Sequence, residues 1–524
     1  MKSLFLAIAI IAHEPGYYTS LANHIHRWLG NESIASKVIK PTEMATALKR
    51  EQFAFLVGFS SPTAAEMTAL REFRSRGGKL CVFYSASPAL AELMGVRPMG
   101  YRSAAYPGEF SRMDFSVKNP EGLPASILQT STVLQRARPI EGKGNVMAYW
   151  MNREGKSTGE PAWIATTSGY WMTHVLLADG EEDKKAQLLG ALIGAVNPKT
   201  WNLAEHKIRK SKKAAAIYEY AKQQTPIKGE IHAVWDHSGC GLYPGDWPRT
   251  IRVLKAAHVT DLFVNVAGAG FAHYASNILP RSKTFVQEGD QLAACLDAAK
   301  NSGIRVHAWI LCFSATRTTN AWLEEFKRRG WRLTAANGTL SEYLNPSNSE
   351  VRAYILSAIE ELQTKYKLSG VHLDFVRWGD NVVKPKDSAG VISQFVAEAR
   401  RRVKRPKWLT TAVYGKYPQC INSVGQDWPS WIDMGIVDYV VPMNYCESNA
   451  QFEGLLIGQA TRRVRKQKTI IGIGVTANES RLDAKQVIDQ IRLSRKYGFA
   501  GEAMFDLDKT LENSILPYLK LGIW

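Results

Sequence analysis

The carboxyl-terminal part of the chain repeats a strand followed by a helix eight times, and this repetition sets the strongest limit on its fold. From residue 229 onward, short apolar runs alternate with amphipathic helical patterns. Eight such units within about 295 residues predict a (β/α)8 barrel, a fold that typically takes ~250 residues. The predicted strands are residues 231–235, 261–266, 305–311, 370–376, 409–414, 438–443, 469–475 and 501–507.

The first part of the chain alternates strands and helices on a shorter repeat. Apolar runs at 4–11, 53–58 and 79–84 are separated by helical patterns. This alternation predicts an α/β domain, with a parallel sheet and helices on both faces. The chain then divides into this domain at residues 1–200, a Lys- and Ala-rich helical linker at 201–228 and the barrel at 229–524.

Residues 1–12 carry one lysine followed by a short apolar run, and two interpretations stay open. The run resembles the apolar core of a minimal secretory signal peptide. It also fits the first strand of the domain, because the helix predicted at 17–29 follows at once and would otherwise lack its strand. We favour the strand. No later run is apolar enough, for long enough, to predict a membrane span.

The net charge is strongly positive, since 66 Lys and Arg residues oppose 48 Asp and Glu residues, giving +18 at pH 7. Such a charge favours an acidic partner: an anionic glycan, a wall polymer, a membrane surface or a nucleic acid. Much of the charge falls in residues 207–213 and 400–407, which are typical of solvated helix faces. The sequence has no zinc-finger, RNA-recognition or Gly-rich phosphate motif, so nucleic-acid binding rests on charge alone and we expect none.

The six cysteines show no CxxC spacing, and no HxxxH spacing accompanies them. The sequence therefore predicts neither a metal site nor a bound cofactor, although a metal site formed by His237, His307, His372 and nearby acids stays open. Cys81 and Cys295 lie in apolar surroundings and are predicted to be buried thiols. One disulfide near the barrel mouth stays open, because four cysteines follow predicted strands, namely Cys240, Cys312, Cys420 and Cys446.

Polar and aromatic residues gather where the predicted barrel strands end. In a barrel of parallel strands the active site lies at the carboxyl ends, so side chains from several strands meet there. The long segments 267–288 and 312–348 should lie over this mouth. We predict Asp374 as a catalytic carboxylate. The residues predicted to bind substrate around it are Arg377, Trp378, His307, Trp309, Tyr445, Asn444, Asn265, Asp236 and Tyr414.

Glycoside hydrolysis normally uses two carboxyl groups, one protonated as the acid and one ionised as nucleophile or base. Glu447, after the sixth strand, is the first candidate for the second catalytic group. It could instead be an acid that complements the N-terminal dipole of the next helix. The other candidates are Asp380, Asp236, Glu502 and Asp506. Structural roles also stay open for an Asp374–Arg377 ion pair, for His307 and His372 as core histidines, and for Tyr445 and Trp309 as packing residues.

Three barrel segments resemble motifs of one known family: Ile304-Arg-Val-His-Ala-Trp-Ile, Gly370-Val-His-Leu-Asp-Phe-Val-Arg-Trp and Val440-Val-Pro-Met-Asn-Tyr. The bacterial glycosyl hydrolase-like 10 family has a His-Ala-Trp strand, a Gly-Ile-His-Leu-Asp-Tyr-Ile-Arg-Tyr strand and a Pro-x-x-Tyr strand. The resemblance covers roughly residues 230–511 and implies a sugar-processing (β/α)8 barrel with Asp374 at its centre. Two segments depart from the family pattern: the first strand reads Val234-Trp-Asp-His-Ser-Gly-Cys, and Gly379-Asp380 replaces the proline after the Arg-Tyr pair.

Residues 54–94 resemble class I glutamine amidotransferase-like domains, and the resemblance implies a flavodoxin-like fold for residues 1–200. The resemblance rests on a Gly-Gly-Lys-Leu turn into the strand that carries the nucleophile in active members. The turn after that strand reads Tyr84-Ser-Ala-Ser-Pro88, without the Cys between glycines of the active enzymes. Ser85 or Ser87 could act as a nucleophile, but a small residue that permits the turn fits better. We interpret this domain as non-catalytic, a binding or docking module.

The sequence as a whole predicts a glycoside hydrolase that cleaves O-glycosidic bonds of a polysaccharide. The polysaccharide would be the glycan strand of peptidoglycan or another acidic glycan. The alternative is a non-catalytic glycan-binding protein on a degenerate barrel. The family resemblance and an acidic wall partner favour the cell envelope or the exterior.

Overall fold

The computed structural model describes residues 8–13, 16–106, 108–461 and 464–524. Contacts divide the chain into two compact units, Met1–Ala214 and Ala215–Trp524. Residues 1–7, which include part of the predicted first strand and of the alternative signal peptide, lie outside the described residues. The helix Leu203–Lys222 contains the boundary between the units and falls within the predicted linker.

The first unit is built on one large sheet with helices on its faces. Its strands are Ile8–Ala12 (β1), Ser36–Ile39 (β2), Phe53–Val57 (β3), Lys79–Phe83 (β4), Val96–Ser103 (β5), Phe110–Phe115 (β6), Ser126–Ser131 (β7), Val133–Pro139 (β8), Gly144–Met151 (β9), Ser157–Thr166 (β10) and Gly169–Met172 (β11). Its helices are Tyr17–Asn31 (α1), Met44–Leu48 (α2), Ala64–Ser75 (α3), Pro88–Met94 (α4) and Glu182–Gly194 (α5), followed by Leu203–Lys222 (α6), with a 3-10 turn at Pro41–Glu43.

The sheet of the first unit is mixed, which corrects the prediction of a parallel sheet. Its strand order is β2-β1-β3-β4-β11-β10-β9-β6-β7. The pairings from β2 to β11 are parallel, whereas those from β11 to β7 are antiparallel. Strands β5 and β8 form a separate antiparallel pair. A separate α/β sheet unit is therefore present, and its flavodoxin-like identity is not confirmed.

The antiparallel half escaped sequence analysis because its strands are not uniformly apolar. Strand β5 exposes most of its residues, and β7 alternates buried with half-buried or exposed ones. In the parallel half, by contrast, β1 and β3 are buried along their full length, as is usual for strands covered on both faces. Two apolar layers, one on each face of the sheet, form the core of this unit.

The second unit is built from alternating strands and helices. Its strands are Ile231–Asp236 (β12), Asp261–Gly268 (β13), Phe271–Ala272 (β14), Arg305–Leu311 (β15), Arg332–Thr334 (β16), Leu340–Leu344 (β17), Gly370–Asp374 (β18), Trp408–Tyr414 (β19), Tyr439–Met443 (β20), Ile471–Gly474 (β21) and Gly501–Phe505 (β22). Its helices are Trp247–Ala256 (α7), Lys283–Glu288 (α8), Gln291–Ala299 (α9), Asn320–Arg328 (α10), Ser349–Lys365 (α11), Ser388–Arg402 (α12), Gln419–Val424 (α13), Trp428–Asp433 (α14), Asn449–Gln459 (α15), Ala484–Tyr497 (α16) and Leu516–Leu519 (α17), with a 3-10 turn at Lys466–Lys468 and a π-helical turn at Leu511–Ile515.

Eight strands of this unit close into a barrel, which confirms the prediction. The order β12-β22-β21-β20-β19-β18-β15-β13 is closed by pairing of β12 with β13. Every pairing around this ring is parallel. The ends of each barrel strand lie within three residues of the predicted ends. Because parallel strands share one direction, all eight carboxyl ends open at the same mouth.

Alternation along the strands sorts side chains between the inside of the barrel and the surrounding helices. On β12, Ala233 and Trp235 pack in the barrel interior, while Val234 packs in the layer between strands and helices. On β18, Val371 and Leu373 belong to that outer layer. His372 and Asp374 therefore have the opposite direction and point into the barrel, as period-two geometry requires.

Two further properties bear on the expectations from sequence. No helix within the described ranges is both long enough and apolar enough to cross a bilayer. None of the six cysteines, all of which lie in described segments, forms a disulfide. The disulfide that the sequence left open at the barrel mouth is therefore not formed.

Candidate active site at the carboxyl end of the barrel

Asp374 ends strand β18 and lies at the barrel mouth with only 5 % of its surface exposed. The Trp309 indole Nε1–H donates to its Oδ2 over 3.2 Å, and the backbone N–H of Phe375 donates to its Oδ1 over 2.6 Å. An Arg377 guanidinium nitrogen lies 3.9 Å from Oδ1. Burial raises the pKa of Asp374, and these three partners oppose the rise because they favour the ionised form.

The backbone just after Asp374 is strained. Phe375 has φ = 49°, a left-handed conformation that costs a non-glycine residue roughly 1 kcal/mol. The neighbouring segment holds it there, since the Cys312 N–H donates to the Asp374 carbonyl over 2.7 Å and the Phe313 N–H to the Phe375 carbonyl over 3.2 Å. The strained turn aims the Phe375 N–H at the carboxylate of the preceding residue.

Arg377 joins Asp374 to an aromatic patch on one side of the mouth. Its guanidinium carbon lies 4.0 Å from the Phe375 ring centroid and 4.8 Å from that of Tyr414. The Tyr414 hydroxyl in turn approaches the Asp380 carboxylate at 3.4 Å. A cation held between two rings keeps a fixed position beside the carboxylate.

The segment after β15 covers this patch, as its length predicted. Tyr343, on β17, lies 6.1 Å from the Phe375 ring centroid. Gly379 makes this approach possible, because a Cβ at that position would lie 2.4 Å from the Tyr343 ring. The departure from the family pattern at Gly379 thus has a steric role here.

A second carboxyl group, Asp506, lies just past the end of β22. Its Oδ1 accepts the backbone N–H groups of His237 over 3.0 Å and of Leu507 over 2.7 Å. Burial raises the pKa of Asp506 to about 8, the His237 N–H opposes this, and the Asp236 carboxylate adds to it. At neutral pH Asp506 is therefore mostly protonated and can donate a proton.

A chain of aromatic rings links the surroundings of the two carboxyl groups. The His237 ring centroid lies 5.8 Å from that of Trp309 and 5.8 Å from that of Phe505. Phe505 stacks on Tyr445 at 5.3 Å, and Tyr445 meets Trp235 edge to face at 6.4 Å. Burial first, and then the charges of both Asp374 and Asp506, raises the pKa of Tyr445, so its hydroxyl lies within electrostatic reach of both acids.

His372, below this ring, is a satisfied core histidine. Its Nε2 accepts the Trp235 indole N–H over 2.9 Å, and its Nδ1 lies 2.8 Å from the Thr410 hydroxyl oxygen. Its ring also stacks on Phe263 at 4.2 Å. Burial lowers the pKa of His372 far below its usual value, so the ring stays neutral and supports Trp235 from beneath.

His307 lies at the other end of the barrel, away from the mouth where the sequence suggested it. It is fully buried near the start of β15, and its Nε2 lies 2.9 Å from Asp261 Oδ1. Arg305 donates to both oxygens of the same carboxylate. Although burial opposes ionisation, these two partners hold the pKa of Asp261 at about 2. This cluster ties strands β13 and β15 together at their amino ends.

Three other predicted binding residues have internal partners. The Asp236 carboxylate accepts the backbone N–H groups of Gly239 and Gly241 and shapes the loop after β12. The Asn444 amide is fully buried and exchanges hydrogen bonds with Gln459 over 3.0 and 2.8 Å. The Trp378 indole N–H donates to the Ser388 carbonyl over 3.0 Å, and its ring packs in the outer layer.

Asn265 and Glu447 occupy contrasting positions. Asn265 is fully buried on β13, in register with Trp309, and neither atom of its amide group has a hydrogen-bond partner among the described residues. Glu447 has an exposed side chain after β20, and its carbonyl oxygen accepts from the Gln486 amide over 3.1 Å. The contacts at the mouth therefore join Asp374 to the surroundings of Asp506, through Trp309 and His237.

Sequence analysis placed Asp506 among several open candidates and left Phe505 and His237 out of the binding set. The signal was present in the acids at the end of the eighth strand and in the Asp-His pair at the end of the first. What the sequence lacked was the burial that separates Asp506 from the exposed Glu447. Within the described ranges, no three His, Cys, Asp or Glu side chains are grouped so as to hold a metal ion.

Comparison with known families agrees with the resemblance of the barrel motifs. Residues 244–389 match the model of the family described as glycosyl hydrolase-like 10. The matched range contains Trp309, Asp374 and Arg377, and it ends before Asp506. This part of the chain is thus similar to a glycosyl hydrolase-like family, which supports a glycan-acting hydrolase at family level. No curated protein matches the chain, and the amidotransferase-like resemblance of the first unit is not confirmed.

Solved structures with similar backbones include several sugar-processing enzymes. The PgaB (BpsB) glycoside hydrolase domain from Bordetella bronchiseptica is 12 % identical over 56 % of this chain and 99 % of that one, with a TM-score of 0.44. A class V chitinase from Pseudomonas fluorescens Pf-5 is 12 % identical over 56 % of this chain and 99 % of that one, with a TM-score of 0.37. The Bacillus cereus spore cortex-lytic enzyme SleL is 11 % identical over 58 % and 76 %, with a TM-score of 0.39.

Proposed function

We propose that the barrel is a glycoside hydrolase that cleaves O-glycosidic bonds with Asp374 and Asp506 as its two catalytic groups. The observation that carries this proposal is the difference between their surroundings. Each carboxyl group accepts two N–H groups, but Asp374 lies beside the Arg377 guanidinium, whereas Asp506 lies near the Asp236 carboxylate and burial raises its pKa to about 8. Pairs of carboxyl groups whose environments separate their pKa values supply one acid and one base.

Asp506 is the general acid in this proposal. Its proton passes to the glycosidic oxygen as the bond from the anomeric carbon to that oxygen breaks. Asp374, whose ionised form Trp309, Phe375 and Arg377 favour against the effect of burial, attacks the anomeric carbon directly or removes a proton from an attacking water. Asp506 therefore takes the role that the sequence first suggested for Glu447, whose side chain is exposed.

The aromatic residues at the mouth provide the surface that would hold the sugar. Tyr445 and Trp309 lie next to the two acids, and the Phe375, Arg377 and Tyr414 patch extends the site to one side. Aromatic rings give a large apolar contact area with polar edges, which suits the mixed faces of a pyranose. We keep Asn265 as a further binding candidate, because its buried amide lacks a partner among the described residues.

The substrate class we propose is a polysaccharide, either the glycan strand of peptidoglycan or another acidic glycan. The net charge of +18 supports an acidic polymer, because it attracts a polyanion over distances of about a Debye length. Arg377 could pair with an acidic substituent at the site itself. A location in the cell envelope or outside the cell would bring the protein to such a polymer.

The second candidate function is glycan binding without cleavage. Burial raises the pKa of both Asp374 and Asp506. If both carboxyl groups were protonated at working pH, the site would hold a sugar but lack a nucleophile or base.

The deciding experiment measures the release of reducing ends from purified peptidoglycan, uronic-acid polymers and neutral glycans. The parent protein is compared with Asp374→Asn, Asp506→Asn and Glu447→Gln, each verified as folded by circular dichroism. Release by the parent and by Glu447→Gln, but not by the two Asp variants, supports the proposal. Binding of a glycan by the folded parent without any release contradicts hydrolysis and supports the second candidate.

A further inference from the structure

The parallel strands of the first unit leave their carboxyl ends at one edge of the sheet. Chain order runs from β1 to β2 on one side and then to β3 on the other, so the strand order reverses next to β1. In open α/β sheets a crevice for ligands forms outside the carboxyl ends at such a reversal. The residues that follow β1, β3, β4 and β11 lie at this edge, and tyrosines are prominent among them.

Tyr17 and Tyr18 begin helix α1 directly above the reversal. Their ring centroids are 5.6 Å apart, and Tyr17 is 62 % exposed. Gly58, just after β3, has φ = 75°, and a Cβ there would lie 2.6 Å from the Tyr18 ring. The glycine thus lets the Tyr18 ring lie flat against the backbone at the end of β3.

Tyr84 occupies the first position after β4 and has φ = 49°, a left-handed conformation that only a few per cent of non-glycine residues adopt. Such strain is concentrated at functional sites. The Tyr84 ring meets His174, just after β11, edge to face at 5.5 Å. Burial, followed by the charges of Tyr18, Tyr101 and Tyr17, raises the pKa of Tyr84, so these three phenols lie within electrostatic reach of it.

Among the described residues, Arg102, next to Tyr101 in the chain, pairs with two carboxylates and so adds no excess positive charge. The carboxylate of Asp179, which lies within electrostatic reach of Tyr17 and His174, pairs with the buried Lys185 ammonium at 2.6 Å. Burial lowers the pKa of His174, so its ring is neutral at pH 7. A site with rings, hydroxyl groups and no excess positive charge does not favour a phosphate or a polyanion.

We propose that Tyr17, Tyr18, Tyr84 and Tyr101, called here the tyrosine site, bind a pyranose unit of a neutral glycan chain. Tyr101 is 58 % exposed, so together with Tyr17 it offers accessible ring surface, and Tyr18 and Tyr84 are half-buried. A phenol ring combines an apolar face with one polar group, and a pyranose presents C–H groups on its face and hydroxyl groups at its edge. This site is separate from Asp374 and does not depend on catalysis by the barrel.

The test is protection of tyrosines from nitration by tetranitromethane, followed by peptide mass spectrometry. The full chain carrying Asp374→Asn is treated alone and with cello-, malto- or chito-oligosaccharides of five units, or with oligogalacturonate. Tyr218, a 44 % exposed tyrosine on α6, is the internal control. We expect at least one neutral oligosaccharide to slow nitration of Tyr17 and Tyr101 and to leave Tyr218 unchanged.

Variants provide the second measurement. Tyr17→Ala and Tyr101→Ala change exposed side chains, so the unit should stay folded. Each variant should bind the protecting oligosaccharide about tenfold more weakly, as expected for a lost aromatic contact. Tyr218→Ala should leave affinity unchanged. The proposal is overturned if no neutral oligosaccharide slows nitration of Tyr17 and Tyr101. It is also overturned if only oligogalacturonate slows it. Protection from nitration can be measured even if the barrel releases no reducing ends, so the two proposals can fail independently.

Discussion

The Trp309 indole N–H donates to Asp374 Oδ2 over 3.2 Å, although the two residues lie on neighbouring strands of the barrel. The bond fixes the carboxylate across the β15–β18 pairing, where Leu311 is in register with Asp374. A donor on the adjacent strand orients the carboxylate without using a flexible loop. It also stabilises the ionised form, which the proposed chemistry requires.

Trp309→Phe should lower kcat by about 10- to 100-fold, because a hydrogen bond to a charged group contributes roughly 1.5–3 kcal/mol. The lost donor stabilised the carboxylate, so the pKa of Asp374 should rise and the acid limb of the pH–rate profile should move to higher pH. Trp378→Phe is the matched control, since that indole donates to the Ser388 carbonyl. If Trp309→Phe does not move the acid limb of the pH–rate profile, the result argues against Asp374 as the ionised group.

Asp506→Asn should remove the alkaline limb of the kcat/KM profile. With a pKa of about 8, Asp506 carries its proton below that pH, so the rate of the parent should fall as pH rises through 8. Aryl glycosides with a good leaving group need little acid assistance and should recover most of the lost rate. Glu447→Gln is the control, and its kcat/KM profile should match that of the parent. If Glu447→Gln loses as much activity as Asp506→Asn, Asp506 is not distinguished from Glu447 as the general acid.

Glu502→Gln should stabilise the fold at neutral pH. Glu502 is fully buried, and burial, together with the Glu230 carboxylate, raises its pKa well above the usual value. A raised pKa means that the folded state binds the proton more tightly, so stability falls as pH rises above about 4.3, the ordinary glutamate value. Removing the charge should add on the order of 1 kcal/mol to the free energy of unfolding at pH 7 and nothing at pH 3.

Urea unfolding at pH 3 and pH 7 measures this difference. Glu453→Gln, which removes an exposed partner of Lys496, serves as control and should leave the midpoint unchanged at both values. Destabilisation by Glu502→Gln at pH 7 would mean that the buried carboxylate is charged and paired.

Asp261→Asn should destabilise the barrel by roughly 3 kcal/mol, because it leaves Arg305 and His307 without the buried carboxylate that they share. The pKa of Asp261, about 2, lies below its unfolded value. Its contribution is therefore complete above about pH 4 and is lost as pH falls toward 2. Chemical unfolding between pH 2 and 7 checks this, and kcat of the still-folded fraction should equal that of the parent. A selective loss of kcat would place the cluster in the chemistry.

The eight strands and the direction of Asp374 into the barrel could be predicted, because period-two alternation fixes which side chains point inward. Depth along a strand was harder to predict. His307 and Trp309 point to the same side, yet two residues at about 3.3 Å each place His307 roughly 7 Å farther from the mouth. Alternation shows on which face of a strand a side chain lies. The distance of that side chain from the mouth depends on where the neighbouring strands begin.

Residues at and beyond the strand ends were the least predictable part of the site. Asp236, Asn444 and Trp378 are polar or aromatic and follow apolar runs, yet their partners are a loop, a glutamine and a helix carbonyl. The local sequence does not predict these contacts. The antiparallel strands of the first unit were missed for a related reason, since β5 pairs with β8 outside the large sheet and exposes most of its residues.

The Asp261, Arg305 and His307 cluster closes the barrel at one end, and the acids lie at the other. The cluster and the acids share no residue. Evolution can therefore alter loops and aromatic residues at the mouth while the cluster at the amino ends keeps the strands in place. A lineage that carries this barrel can therefore change the residues at the mouth by small steps, without each step risking the fold.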